Sequence, residues 1–381
     1  MNVEKNNPFI SFILPNYNNQ HVVDLFFEKF IQYNTYDNYE FIVVDDGSED
    51  DGLKLLYKWQ KSGKIKNMKV IAEPHKGIIN TLNKCLAEVK GEFIIRMDGD
   101  ATVETESFVE KFLEFYLINP EKIGVISAKV MTDAGFAQTI GRDVISEFGL
   151  KNRGHHITEP VGKRNWDQGS WADDNFDELM NKPAEVDTVL GVFTFCDTVT
   201  ARKIGGFDKD YPLWVEDDDF YFSFRLHGKK CFYLPCIEIC HRFSLRGNRD
   251  PKSWSHKKNV LERIRKVIWS CESKYNNIKY RFFGMPIIQI KDGGENSKKK
   301  TKIYVLNHLI CECDLIFGWR EKILIKDYIH WMKKWGFHPL NPDMKFIKEK
   351  YKGTEILWDY DDNLRKIGQD ILNEYSKIKG A

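Results

Sequence analysis

The sequence predicts an α/β protein built on a mostly parallel, doubly wound sheet. In the first hundred residues, short apolar runs alternate with segments in which apolar residues recur every three or four positions. This pattern is typical of strands that alternate with helices, and a polar cluster follows each of the first four runs. Strands and helices at this spacing form a parallel sheet with helices on both faces. Such sheets bind ligands beyond the carboxyl ends of their strands.

Four strands and three helices are predicted before residue 100. The strands are expected over Phe9–Leu14, Tyr39–Val44, Met68–Ala72 and from Phe93 to Asp98, and the helices over Val22–Tyr33, Leu53–Gln60 and Gly77–Val89. The polar clusters at the strand ends are Pro15–Asn18, Asp45–Asp46, Glu73–Lys76 and Asp98–Asp100. Because these ends meet at one edge of the sheet, we expect a binding site there. No Gly-rich dinucleotide motif follows the first strand and no P-loop motif occurs, which disfavours both of those functions.

Two carboxylates separated by a glycine end the fourth run. Residues two apart in an extended chain point the same way, so Asp98 and Asp100 can converge on one point. Gly99 permits a sharp turn and the close approach of a ligand. Paired carboxylates suit Mg²⁺ or Mn²⁺ carrying a diphosphate, although an isolated Asp-Gly-Asp triplet is also compatible with a surface turn.

The next part of the chain continues the pattern around one long irregular segment. Helices are expected over Phe108–Tyr116, Thr198–Ile204 and Phe220–Leu226, and strands over Gly124–Val130 and Glu185–Phe195. Residues 132–183 are rich in Gly, Asp, Asn and Trp and show no sustained periodicity. Such a segment is typical of a binding loop or lid, or else of disorder. Trp166 and Trp171 in this segment are candidates for holding a sugar against a flat aromatic face.

Several of these motifs resemble the donor half of inverting family 2 glycosyltransferases, which are enzymes of the Rossmann-like GT-A fold that use nucleotide-sugars. The resemblance lies in Pro15–Asn18, Val43–Ser48, Leu82-Asn83 and Gly91–Asp100. It implies that Asp98 and Asp100 hold the metal and the diphosphate, although Ala101 stands where the family usually has a further acidic residue. The donor nucleotide-binding residues that it implies are Pro15, Tyr17, Asp45, Asp46, Lys76, Asn83 and Asp98. A turn that caps the next helix is the alternative explanation for Asp45–Ser48.

A second set of motifs resembles the acceptor half of the same enzymes: Gly205–Asp208, Glu216-Asp217-x-Asp219, Arg225, Gly228 and His241. The resemblance implies that Asp217 is the catalytic base. It also implies that His241 completes the site for Mn²⁺ or Mg²⁺ with Asp98 and Asp100. Trp214 and Glu216 are candidates, with Trp166 and Trp171, for contacts with the acceptor or the sugar. Acidic residues in a helix's first turn also have a structural explanation, because they are favourable at the positive end of its dipole.

We expect residues 1–250 to form the GT-A catalytic domain and residues 251–381 a mainly helical C-terminal region. The helices of that region are expected over Val260–Tyr275, Ile303–Trp319, Leu324–Trp335 and Leu364–Ile378. Residues 255–300 contain twelve Lys and Arg against four Asp and Glu. Packing on the catalytic domain is the favoured role of the region. Peripheral contact of 255–300 with an anionic membrane surface or a lipid-diphosphate acceptor is the alternative.

The bulk composition is consistent with an enzyme of the cytoplasm or of the inner face of the membrane. A formal net charge of +1 over 381 residues gives no indication of nucleic-acid binding. No run is long enough for a membrane span, the first residues lack a signal-peptide pattern, and eight scattered cysteines fit reduced thiols. The sequence thus predicts metal-dependent, inverting transfer of a hexose or N-acetylhexosamine, most readily from a UDP-sugar, to a glycan, glycolipid or surface-polysaccharide hydroxyl. A sugar nucleotidyltransferase or a non-catalytic carbohydrate-binding protein on the same fold are the alternatives.

Overall fold

A computed structural model describes most of the chain. The described residues are 7–132, 141–143, 151–153, 180–211, 215–242, 269–274, 277–282, 285–291, 301–305, 308–313, 319–337, 344–354, 356 and 362–380. The chain divides into two compact units, one of residues Met1–Gly247 with Ile323–Ala381 and the other of Asn248–Lys322. The second unit therefore begins close to the expected boundary at residue 250, but the last helices belong with the first unit.

The first unit contains eleven described strands, nine of which form one sheet. The strands are β1 (Ile10–Asn16), β2 (Tyr39–Asp46), β3 (Met68–Glu73), β4 (Phe93–Met97), β5 (Ala101–Val103), β6 (Ile123–Thr132), β7 (Gly141–Asp143), β8 (Lys151–Arg153), β9 (Ala184–Val186), β10 (Phe193–Asp197) and β11 (Lys230–His241). The order across the large sheet is β3-β2-β1-β4-β10-β6-β11-β5, with β9 also paired to β11, and β7 pairs with β8 alone. The single strand expected over Glu185–Phe195 is therefore two strands, because the chain leaves the sheet between β9 and β10.

The helices of the described chain lie between and after these strands. They are α1 (Val23–Tyr33), α2 (Gly52–Ser62), α3 (Ile78–Glu88), α4 (Phe108–Tyr116), α5 (Thr198–Ile204), α6 (Glu216–Phe222), a 3₁₀ turn (Ser223–His227), α7 (Trp319–Trp335), α8 (Met344–Lys350) and α9 (Asp362–Lys379). Their ends follow local rules. Gly63 ends α2 in a left-handed conformation, and the Asp197 side chain caps α5 by accepting from the Thr200 backbone N–H at 2.8 Å.

The sheet is parallel in its first half and mixed in its second. Strands β1 to β4 pair in parallel, as the alternation of strands and helices predicted. Strand β10 then runs antiparallel to both β4 and β6, and β5 runs antiparallel to β11. The α/β fold class is confirmed, and the antiparallel additions lie in the half that follows residue 100.

The core has one apolar cluster on each face of the sheet. Successive side chains of a strand point to opposite faces, and Phe12 and Ile13 accordingly belong to different clusters. The helices after residue 323 complete both. Tyr375 of α9 packs in the cluster of Phe12, and Trp335 of α7 packs in that of Ile13. The segments Leu324–Trp335 and Leu364–Ile378, which were predicted as helices, thus both contribute to the core of the first unit.

The expectation of a mainly helical region from residue 251 is wrong for residues 269–313. This part of the second unit forms a five-stranded antiparallel sheet of β12 (Trp269–Lys274), β13 (Asn277–Phe282), β14 (Met285–Lys291), β15 (Thr301–Val305) and β16 (His308–Cys313). The helices expected over Val260–Tyr275 and Ile303–Trp319 overlap these strands. Short apolar runs of this kind fit either periodicity, and long-range pairing decides between them.

Among the described residues, no helix combines the length and the apolar character needed to cross a membrane.

Candidate active site

Three metal-ligating side chains meet at the end of the sheet where β4, β5 and β11 come together. Asp98 follows β4, Asp100 precedes β5, and His241 is the last residue of β11. The antiparallel pairing of β5 with β11 places Ala101 opposite His241. His241 Nε2 therefore lies 3.1 Å from Asp100 Oδ1, and one potential ligand atom from each of the three residues lies within 4.8 Å of the others.

The backbone holds this cluster in place. The Asp98 backbone N–H donates to the Val192 carbonyl at 2.9 Å, and the Arg242 backbone N–H donates to the Asp100 carbonyl at 2.7 Å. A Cβ atom at Gly99 would lie 2.5 Å from Asn19 Nδ2, so a larger residue between the two carboxylates would require the Asn19 side chain to move. The sharp Asp-Gly-Asp turn is thus fixed by its surroundings.

The donor set fits a hard divalent cation. Asp100 and His241 are 4% and 2% exposed, and Asp98 is partly exposed toward the cleft. Carboxylates drawn this close and away from water repel one another unless a positive charge lies between them. Two carboxylates with one imidazole suit Mn²⁺, and the oxygens alone suit Mg²⁺. These three residues would hold the ion.

A cleft of about 500 Å³ opens beside the cluster. The predicted site residues that line it are Pro15, Tyr17, Asp46, Asp98 and Asp100. The Tyr17 ring stacks on His75 with ring centroids 4.5 Å apart and an angle of 23° between the planes. Tyr17 is 41% exposed, so this aromatic pair presents an accessible flat surface at the mouth of the cleft.

The helix α6 carries the acidic motif. Its Asp217 contacts the same backbone segment, residues 191–192, that holds Asp98 in place. Asp217 Oδ2 accepts from the Gly191 backbone N–H at 3.0 Å, and its Oδ1 accepts from the Asp218 backbone N–H at 2.8 Å. Gly191 is adjacent to Val192, whose carbonyl accepts from Asp98. Asp217 and the metal cluster are therefore connected through two consecutive residues of one segment.

Two other carboxylates of α6, those of Glu216 and Asp219, are more deeply buried than that of Asp217. Burial, reinforced by the neighbouring Asp217 charge, raises the pKa of Glu216 well above its ordinary value, and Arg96 opposes this rise. Burial also raises the pKa of Asp219, against the opposing effect of Lys334. Such environments are typical of functional sites but also of structural networks.

Residues 11–160 match the protein family described as Glycosyl transferase family 2. An uncharacterized glycosyltransferase of Haemophilus influenzae is 34% identical over 112 residues, which is 29% of this chain and 33% of that protein. The poly-beta-1,6-N-acetyl-D-glucosamine synthase of Staphylococcus epidermidis is 22% identical over 228 residues, covering 57% of this chain and 45% of that protein. Residues 11–160 therefore contain a glycosyl transferase family 2 domain. The chain spans less than half the length of each of these curated relatives.

Two solved structures resemble this chain at low sequence identity. The mannosyltransferase PcManGT of Pyrobaculum calidifontis, in complex with GDP-Man and Mn²⁺, is 15% identical, with a TM-score of 0.46 over 70% of this chain and 65% of that one. TarS 1-349 of S. aureus, in complex with UDP-GlcNAc, is 16% identical, with a TM-score of 0.43 over 68% of this chain and 65% of that one. At these TM-scores, the ligands of the two structures carry no information about the donor or the metal of this chain.

The two aspartates that end β2 have different positions relative to the cleft of the family 2 domain. Asp45 is fully buried and accepts hydrogen bonds from Asn16 Nδ2 at 2.7 Å and from the Ser48 hydroxyl at 2.6 Å. Asp46 accepts from the backbone N–H groups of Lys76 and Gly77, at 2.7 and 2.9 Å. Asp45 thus supports the wall of the cleft, and Asp46 lines it while fixing the segment that carries His75.

Two residues expected at the donor nucleotide lie outside the cleft. Lys76 and Asn83 line a neighbouring groove. The Asn83 amide also receives the Phe207 backbone N–H at 2.8 Å and donates to the Phe207 carbonyl at 2.7 Å. Both polar atoms of Asn83 are therefore used to hold the loop before α6.

Asp219 joins α6 to the C-terminal helix α7. Its Oδ1 accepts from the Trp335 indole N–H at 2.8 Å and its Oδ2 from Lys334 Nζ at 2.6 Å, and Tyr211 also donates to it at 3.2 Å. Asp219 therefore links the acidic motif of the family to residues far along the chain.

A second group of potential metal ligands is formed by Asp208, Asp210 and His330, whose ligand atoms lie within 4.8 Å of one another. In this group Lys334 already neutralises Asp208, at 3.2 Å.

The three tryptophans expected at the acceptor or sugar, Trp166, Trp171 and Trp214, lie outside the described residues. Most of the segment 132–183 does so as well.

The structure brings three residues to the site that were not predicted from the sequence: His75, Arg96 and Gly191. Their chain positions offered one indication only, since His75 and Arg96 stand inside or beside the polar clusters at strand ends.

Proposed function

We propose that this chain is a metal-dependent, inverting glycosyltransferase. It transfers a hexose or N-acetylhexosamine from a UDP-sugar to a hydroxyl of a glycan, glycolipid or surface-polysaccharide acceptor. The observation that supports this most is the connection of Asp217 to the Asp98 cluster through Gly191 and Val192. A base and a diphosphate site held at fixed separation are what direct displacement at a sugar carbon requires.

Asp217 would accept the proton of the acceptor hydroxyl. Each of its oxygens receives one backbone N–H, which orients the carboxylate and leaves a further lone pair on each oxygen for the incoming proton. The acceptor oxygen then attacks the anomeric carbon as the bond to the diphosphate breaks, so the configuration at that carbon inverts.

Asp98, Asp100 and His241 would hold Mn²⁺ or Mg²⁺ on the leaving-group side. A bound divalent cation neutralises the negative charge that develops on the departing nucleoside diphosphate. Tyr17 and His75 would receive the nucleobase on their stacked rings, since flat aromatic surfaces bind bases through their π-faces. Uridine as the base is an expectation from the family resemblance.

The names of the relatives support a polysaccharide or glycolipid as the acceptor class. They include a poly-beta-1,6-N-acetyl-D-glucosamine synthase of Staphylococcus epidermidis, a chondroitin synthase of Pasteurella multocida and a cholesterol galactosyltransferase of Borreliella burgdorferi. The basic composition of residues 255–300 supports a cytoplasmic enzyme that contacts the inner face of the membrane there.

The proposal is tested by incubating the purified chain with a panel of UDP-hexoses and UDP-N-acetylhexosamines, with Mn²⁺, with Mg²⁺ and with excess chelator. Release of UDP that depends on the cation is the expected result. Proton NMR of a transferred product should show the anomeric configuration opposite to that of the donor. Release of pyrophosphate from UTP and a sugar 1-phosphate would instead indicate a nucleotidyltransferase. Absence of turnover with every donor and cation would refute the proposal.

A further inference from the structure

A buried guanidinium lies beneath the site without enough hydrogen-bond acceptors. Arg96 is on β4, two residues before Asp98, and is 5% exposed. Its Nη2 donates to Asp98 Oδ1 at 3.2 Å. Its Nε and Nη1 have no hydrogen-bond partner within the described part of the chain. Burying such donors unpaired is costly, so the position of this side chain requires an explanation.

The guanidinium packs directly against the segment that connects the two halves of the site. A Cβ atom added to Gly191 would lie 2.5 Å from Arg96 Cζ, and closer still to Nη1. The same Gly191 donates its N–H to Asp217 Oδ2 at 3.0 Å. Asp98, Arg96, Gly191 and Asp217 thus form an unbroken series of contacts from the metal cluster to the base.

The positive charge of Arg96 lies among acidic side chains. It is attracted by the carboxylates of Asp98, Asp217 and Glu216. The guanidinium group of an arginine is planar and rigid. Because it packs directly on Gly191, neither the guanidinium nor the backbone at Gly191 has room to move. The cation therefore offsets the repulsion between Asp98 and Asp217, while its shape fixes the distance between the segments that carry them.

We propose that Arg96 and Gly191 are positioning residues that fix the separation of the base Asp217 from the metal carboxylate Asp98. The inference rests on the proposed function of the site. Neither residue lines the donor cleft, so their main effect is on the geometry of the reacting groups rather than on the affinity for the donor. A displacement of about 1 Å between reacting groups can cost about 100-fold in rate.

The test is a double-mutant cycle of Arg96→Lys and Gly191→Ala in the full chain. Lysine keeps the charge but lacks the forked nitrogens that a Cβ at position 191 would meet. Each single variant should lower kcat by about 100-fold, while the calorimetric Kd for UDP with Mn²⁺ should change by a much smaller factor, because neither side chain lines the donor cleft. The double variant should lose about as much as one single variant, because the clash in Gly191→Ala is relieved when the guanidinium is absent.

Gly124→Ala is the matched control. Its Cβ would also enter a crowded buried place, 2.6 Å from Lys229 Cβ, but far along the sheet from the cleft. It should lower the denaturant midpoint and leave kcat unchanged. If the Gly191 and Arg96 variants lower kcat no more than this control does, or if their losses multiply in the double variant, the positioning role is refuted and the proposed function stands. If the unmodified chain turns over no nucleotide-sugar, the proposed function fails and the inference fails with it.

Discussion

Replacement of Asp217 by asparagine changes both the charge of the side chain and the number of its acceptor atoms. In the structure, Oδ1 accepts from the Asp218 backbone N–H and Oδ2 from that of Gly191, at 2.8 and 3.0 Å. Asparagine has a single acceptor oxygen, so one of the two contacts is lost. A buried donor left without its partner costs about 1–3 kcal/mol. We expect Asp217→Asn to lower the free energy of unfolding by that amount.

The loss of transfer should be much larger than the loss of stability. A general base contributes about 10²- to 10⁴-fold in rate, which corresponds to about 3–5 kcal/mol of activation free energy. The assay is the initial rate of Mn²⁺-dependent UDP release, in which water replaces the acceptor where no acceptor is known. Calorimetry with UDP and Mn²⁺ should give the same Kd as the unmodified chain, because Asp217 does not line the donor cleft.

Asp218→Asn is the control for this experiment. It makes the same chemical change at the next position of α6, where the side chain is fully buried. It should change stability but keep most of the activity. If Asp217→Asn retains near-normal turnover while Asp218→Asn does not, the base has been assigned to the wrong carboxylate.

Three further predictions concern the metal, the C-terminal helix and the nucleobase. Excess chelator should abolish donor turnover, and His241→Ala should weaken Mn²⁺-dependent UDP binding by about 10- to 100-fold or more; full turnover in chelator would contradict the metal site. Trp335→Phe removes the indole N–H that lies 2.8 Å from a buried carboxylate of α6. It should lower the free energy of unfolding by about 1.5–3 kcal/mol, whereas Met332→Ala on the exposed side of α7 should change it by less than about 0.5 kcal/mol; equal denaturant midpoints would contradict this contact. Tyr17→Ala should weaken UDP binding by about 1–3 kcal/mol, and the similarly exposed Tyr57→Ala should not; equal calorimetric Kd values would remove Tyr17 from the base site.

The parts of the fold that the sequence predicted are those in which local pattern and long-range pairing agree. Strands β1 to β4 are buried and parallel, so their apolar runs are continuous and each is followed by a polar cluster. The convergence of Asp98 and Asp100 follows from the same local geometry. The arrival of His241 beside them does not, because it depends on the pairing of β5 with β11. For that contact the resemblance to the family was needed.

The errors arise where distant residues decide the outcome. The strands of residues 301–313 read as a helix because a short apolar run is compatible with both periods, and only pairing with β14 selects the strand. The role of Asn83 at the nucleotide stays a prediction, but the hydrogen bond between its amide and Phe207, 124 residues away, could not be predicted. The role of Gly191 was equally invisible, since the atoms that exclude a side chain there belong to Arg96. No local pattern contains such information.

The packing of α7 and α9 on the two faces of the sheet also matters during synthesis on the ribosome. The chain emerges from its amino end, so the sheet and the carboxylates of the candidate site leave the exit tunnel before Trp335 and Tyr375, which complete the two apolar clusters. Until residues 323–381 emerge, both faces of the nascent sheet keep uncovered apolar surface, and such intermediates aggregate or recruit chaperones. A shortened chain that stops near residue 250 would remain in that state permanently. Folding of the sheet with both faces covered therefore has to wait until the helices α7 and α9 have left the ribosome.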